Sequence, residues 1–115
     1  MRMTPLRAGL AAASFAVFAG LGLAVAGQTV GAPGAIQAAI KNFSFQAPTI
    51  TVPVGGSVTW TNHDGEPHTV TGIDGSFRSE ALDEDDTYTF RFTKPGVYQY
   101  ICTIHPKMRG TVIVK

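Results

Sequence analysis

The sequence predicts an all-β domain, an antiparallel Greek-key sandwich or barrel, and three observations lead there. Beyond the N-terminal segment, apolar residues recur at every second position, the period of a strand with one buried face. Turn residues rich in Gly, Pro and Asp separate these runs at short intervals, as in sandwiches and barrels. No stretch carries the period of 3.6 that a helix of useful length would show.

The elements follow in chain order. Residues 1–26 read as a signal peptide: Arg2 and Arg7 form a basic start, 19 uncharged residues run from Ala8 to Ala26, and Ala24-Val25-Ala26 before Gly27 is a small-x-small cleavage site. Eleven of those 19 residues are Ala or Gly, too weakly apolar for a lasting anchor, so the expectation is a cleaved signal and a periplasmic protein. Retained, the same segment would tie the domain to a membrane. Residues 27–40 lack a clear period and read as a linker or arm, which leaves residues 41–115 as the folded domain. Within it, Phe43 and Phe45 alternate, then Ile50, Val52 and Val54, then Val58 and Trp60. Tyr88, Phe90 and Phe92 come next, then Tyr98, Tyr100 and Cys102, and finally Val112 and Val114, or Ile113 if the faces are reversed. Gly55-Gly56, Asp64-Gly65, Asp74-Gly75, Pro95-Gly96 and the segment Pro106 to Gly110 supply the turns.

Composition narrows the function. Nine Lys and Arg stand against eight Asp and Glu, which leaves no basic field for a nucleic acid. A chain of 115 residues is too short for a multidomain enzyme, and 44% hydrophobic with 15% charged residues argues against disorder. Cys102 is the only cysteine, so no disulfide staples the chain. A lone thiol in an exported protein pairs between chains, stays reactive, or is occupied.

The chemistry sits around that thiol. Cys102, His105 and Met108 form Cys-x-x-His-x-x-Met in one turn between two strands, and His68 lies 34 residues upstream at the mouth of another. A thiolate, two imidazoles and a thioether are the donor set of a blue-copper electron-transfer site, with the soft thioether favouring copper over zinc. Taken singly, Cys102 suits a buried small hydrophobe, Met108 a core cover and His105 a surface imidazole. Jointly, the four point to one bound copper ion. His63 precedes Asp64-Gly65 and reads as a solvated turn residue, the substitute ligand should His68 not serve. Trp60, Phe43, Phe90 and Phe92 are expected in the core, with Tyr98 and Tyr100 packed beside the Cys102 strand.

The stretch from Tyr100 through Cys102, His105 and Met108 to Val112 resembles the copper loop of the cupredoxins, above all of their amicyanin and bacterial plastocyanin-like members. Ser57 to Asn62 and Pro67 to Val70 are similar to that family's first-histidine segment, and the likeness extends from Asn42 to Lys115. It implies a cupredoxin-like sandwich with His68, Cys102 and His105 as equatorial ligands and Met108 as the weak axial one. Many members carry Asn after the first histidine to brace the copper loop; Thr69 is a departure from that pattern, with a hydroxyl able to do a similar job, and it leaves the rigidity of the site and its redox potential open. The resemblance further implies a monomeric one-electron carrier, not an enzyme, that meets redox proteins transiently, such as a c-type cytochrome or a periplasmic dehydrogenase or oxidase. The edge of His105 would be the electron's exit. A copper-delivery module using the same ligands is the alternative. Asp83 to Asp86 form a solvated turn or an acidic docking patch, and Lys107 and Arg109 a solvated rim or a basic one.

Overall fold

The computed structural model describes residues 35–115, so the expected signal peptide at 1–26 and the first part of the expected arm lie outside the described residues. Seven strands and no helix make up these residues: β1 (Ala35–Ile40), β2 (Thr49–Val52), β3 (Ser57–Asn62), β4 (Thr71–Gly72), β5 (Thr87–Arg91), β6 (Gly96–Ile101) and β7 (Arg109–Val114). They form a sandwich of two sheets, ordered β1-β3-β5 and β2-β7-β6-β4. The chain changes sheet at every connection but the last, so β6–β7 is the one pair of consecutive strands that lie side by side.

That alternation changes two expectations. The sheets are mixed, since β1 runs parallel to β3 and β2 parallel to β7, whereas tight turns alone suggest antiparallel pairing. Parallel neighbours need a crossover, and here the opposite sheet supplies it. The second correction concerns residues 27–40: Ala35–Ile40 is not arm but strand, paired along its whole length with β3 from Ala35↔Ser57 to Ile40↔Asn62. Ala38 and Ile40 bury their side chains in the core, which outweighs the weak strand preference of an alanine-rich segment.

Elsewhere the alternation places the core as expected. Val58 and Trp60 of β3, Tyr100 of β6, and Val112 and Val114 of β7 are all buried. Trp60 lies at the centre, stacked on Phe77 and Tyr88, and its Nε1–H donates to the Tyr100 hydroxyl at 3.2 Å. Burial raises the Tyr100 phenol above its ordinary value, and the Trp60 hydrogen bond only partly offsets this. Tyr100 stands opposite Gly110 in the β6–β7 pairing, and a Cβ at Gly110 would collide with the Tyr100 ring. Glycine is needed there so that an aromatic can lie across the strand beside the cysteine.

Phe43 departs from its expected place. The Phe43–Phe45 alternation is not a strand: Phe45 is buried and bridges back to Ile40, but Phe43 is 50% exposed on a turn with φ of 57°. Val54 likewise falls in a turn beyond the end of β2, exposed to solvent.

Candidate metal centre

Four predicted residues converge at one end of the sandwich from two segments. Cys102 follows the last residue of β6, and the loop after it returns at Met108 to start β7. Two backbone hydrogen bonds close that loop, Met108 N–H to His105 O at 2.9 Å and Cys102 N–H to Met108 O at 3.2 Å. Because the Ile101↔Arg109 pair clamps its ends, the loop can point the Cys102, His105 and Met108 side chains into one small volume.

His68 arrives from the β3–β4 connection. Its N–H donates to Leu82 O at 3.1 Å and its carbonyl accepts from Leu82 N–H at 2.7 Å, so a two-way bridge fixes its backbone. His68 and Cys102 are wholly buried, Met108 is 4% exposed, and His105 is half-buried at the surface.

The donor atoms lie at ligand spacing. Cys102 Sγ is 3.8 Å from His68 Nδ1 and 4.0 Å from His105 Nδ1, and all three donors lie within 4.8 Å of one another. A trigonal ion with metal–sulfur of about 2.3 Å and metal–nitrogen of about 2.0–2.1 Å gives a sulfur–nitrogen edge of about 3.8 Å. The residues present therefore fit a His₂Cys ion. The sulfur is further supplied with backbone donors, Thr69 N–H at 3.3 Å and His105 N–H at 3.4 Å, which withdraw electron density from a metal-bound thiolate.

Thr69 ties the two segments together. Its Oγ1 accepts from Thr103 N–H at 2.8 Å and pairs with Thr103 Oγ1 at 2.8 Å, joining the His68 segment to the residue after Cys102. His63 is exposed and outside the cluster, as its turn context predicts. Asp83 to Asp86 form a hydrogen-bonded turn, with Asp86 accepting from Asp83 N–H at 2.9 Å and Asp85 N–H reaching Asn62 O at 2.7 Å. Lys107 and Arg109 are exposed on either side of Met108.

Three residues whose sequence context suggests only a turn, a strand or the core shape the site. Asn62 is fully buried: its amide donates to Glu66 O at 2.9 Å and Leu82 O at 2.8 Å, and its Oδ1 accepts from Asp64 N–H at 2.9 Å. This one side chain moulds the loop that carries His68. Asp64 Oδ2 lies 2.9 Å from His68 Nε2, on the side of the imidazole facing away from Cys102. Burial alone would raise the Asp64 carboxyl, but the N–H groups of Phe43 and Asn42, with His68, hold it below the usual carboxylate range. Phe43 meets both imidazoles edge-on, 5.2 Å from His68 and 5.1 Å from His105 between ring centroids. Asn62 ends a strand and Asp64 opens a turn, so each has an ordinary local reason to be there.

A two-sheet sandwich with His, Cys, His and Met gathered at one end defines a cupredoxin. The chain belongs to the plastocyanin/azurin family of copper binding proteins, whose family description matches residues 32–115. Among its relatives, amicyanin-alpha of Methylorubrum extorquens is 36% identical over 120 aligned residues spanning all of both chains. Amicyanin of Paracoccus denitrificans is 38% identical over 89 residues, covering 73% of this chain and 68% of that one. A solved amicyanin variant in its Cu(I) form superposes with a TM-score of 0.66 at 36% identity, covering 73% of this chain and 85% of that structure.

Proposed function

We propose that the protein is a periplasmic blue-copper electron carrier, in which His68, Cys102, His105 and Met108 would hold one copper ion. The observation that carries the reading is the Cys102–His68–His105 triangle, spaced at ligand edges with His68 and Cys102 wholly buried. The bound ion supplies a one-electron Cu(II)/Cu(I) couple. The protein's own share is rigidity: the His68–Leu82 bridge, the Thr69–Thr103 brace and the closed Cys102–Met108 loop keep the donors in place whichever charge they face.

Electrons enter and leave through His105, the one proposed ligand that is only half-buried. Exposed Phe43, Ile104 and Pro106 lie along the same rim and give it an apolar surface. A small apolar contact suits a monomeric shuttle, because its partner, a c-type cytochrome or a periplasmic dehydrogenase or oxidase, must also leave. Export is supported by the basic, uncharged and small-residue pattern of residues 1–26. No step forms or breaks a covalent bond, and no substrate or nucleic acid is involved.

Copper delivery with the same ligands is disfavoured by burial of Cys102 and Met108, which leaves no sulfur donor exposed among the described residues for handing an ion on. Voltammetry separates the two readings. A carrier shows one reversible one-electron wave with copper retained at one ion per chain; an ion lost on each reduction contradicts the carrier.

A further inference from the structure

Three separate features of the site end on one carboxylate. Asp64 Oδ1 accepts from Asn42 N–H at 2.7 Å, and Oδ2 accepts from Phe43 N–H at 2.9 Å. Oδ2 also lies 2.9 Å from His68 Nε2. Asn42 and Phe43 have φ of 56° and 57°, two successive residues in the left-handed region. Asn tolerates that region but a bulky residue such as Phe43 is strained there, and such conformations persist only when their surroundings hold them. Lys41 and Ser44 close the turn with a pair of backbone hydrogen bonds, but the two strained N–H groups themselves depend on Asp64. This turn sets the Phe43 ring nearly perpendicular to both imidazoles, at 86° to His68 and 89° to His105.

The carboxylate also decides which nitrogen of His68 carries the proton. An ionised carboxylate only accepts, so a neutral His68 donates through Nε2–H and turns the Nδ1 lone pair toward Cys102. A carboxylate behind a metal-ligating histidine fixes its orientation and raises its basicity. The added negative charge favours the more oxidised ion over the reduced one.

We propose that Asp64 is a positioning residue for the metal centre, holding His68 in the Nε2–H tautomer while latching the strained Asn42–Phe43 turn so that Phe43 covers both imidazoles. The proposal rests on His68 being a copper ligand, yet its first test needs no copper. In the metal-free full chain, nitrogen-detected NMR is expected to show the His68 proton on Nε2 at neutral pH; a proton on Nδ1 overturns the proposal. In the copper-loaded chain, Asp64→Asn is expected to weaken Cu(II) binding about 10–100-fold. A tenfold loss confined to Cu(II) reads as a reduction potential about 59 mV higher. Asp64→Glu, which keeps the charge, is expected to recover more than half of that rise. Phe43→Leu, which spares the carboxylate, should move the potential less than Asp64→Asn. Lower stability in Asp64→Asn with an unmoved potential and an unmoved copper–thiolate band would make Asp64 a turn residue only and overturn the proposal. If that variant does not fold, the tautomer in the unmodified chain still decides.

Discussion

The two segments that bring the proposed ligands together are built in opposite ways. Cys102, His105 and Met108 share a seven-residue loop closed by its own backbone, clamped by the β6–β7 pairing. The His68 segment is not closed by its own backbone and is held by side chains and by remote strands. Asn62 ties its start to Glu66 and Leu82, Leu82 pins its end, and Asp64 binds it to Asn42 and Phe43 more than 20 residues away. The comparison teaches that three donors are a local motif whereas the fourth is a product of the whole fold. Substitutions should therefore act differently on the two sides.

The largest effect is expected at Asn62, whose buried side chain donates to Glu66 O and Leu82 O and accepts from Asp64 N–H. Asn62→Ala removes all three hydrogen bonds, leaving Leu82 O only its bond from His68 N–H, and should cost about 2–3 kcal/mol in denaturant unfolding of the metal-free protein. A loss below about 0.5 kcal/mol would show that the His68 segment holds itself.

Tyr100 probes the hairpin side. Tyr100→Phe leaves the buried Trp60 Nε1–H without its acceptor and should cost about 1–2 kcal/mol at neutral pH. The pH dependence has a fixed sign. Burial raises the folded phenol above 10.0, so its stabilisation is complete below that pH and is lost as pH rises through the folded value. Alkaline titration of unfolding should accordingly fall less steeply in Tyr100→Phe than in the parent chain, and an identical slope contradicts the assignment.

The smallest effect is expected where the two segments meet. Thr69→Val keeps the shape but removes the acceptor for Thr103 N–H, which should cost about 1 kcal/mol. It should also broaden the copper–thiolate band, since the Cys102 loop is then less firmly joined to His68. A sharp, unshifted band would show that the hairpin needs no brace.

The same division sets what was legible in the sequence. Strands β3, β6 and β7 show in the alternation of Val58 with Trp60, Tyr98 with Tyr100, and Val112 with Val114, because each has one buried face. The Cys-x-x-His-x-x-Met loop shows for the same reason: spacing along the chain is spacing in space. Ala35–Ile40 does not show, since its strand character comes from pairing with β3 and not from its own alanines. Phe43 misleads, because a period of two cannot register a left-handed turn imposed by a carboxylate 21 residues away. Asp64 and Asn62 carry ordinary turn chemistry in sequence, and only the folded neighbourhood gives them a role at His68.

The most direct test of the copper centre is the visible spectrum of the Cu(II)-loaded protein, before and after ascorbate, beside Cys102→Ser. The account predicts an intense blue thiolate-to-copper band that bleaches on reduction, returns on reoxidation and is absent from the variant. A colourless protein, or one that binds copper equally well without Cys102, would contradict it.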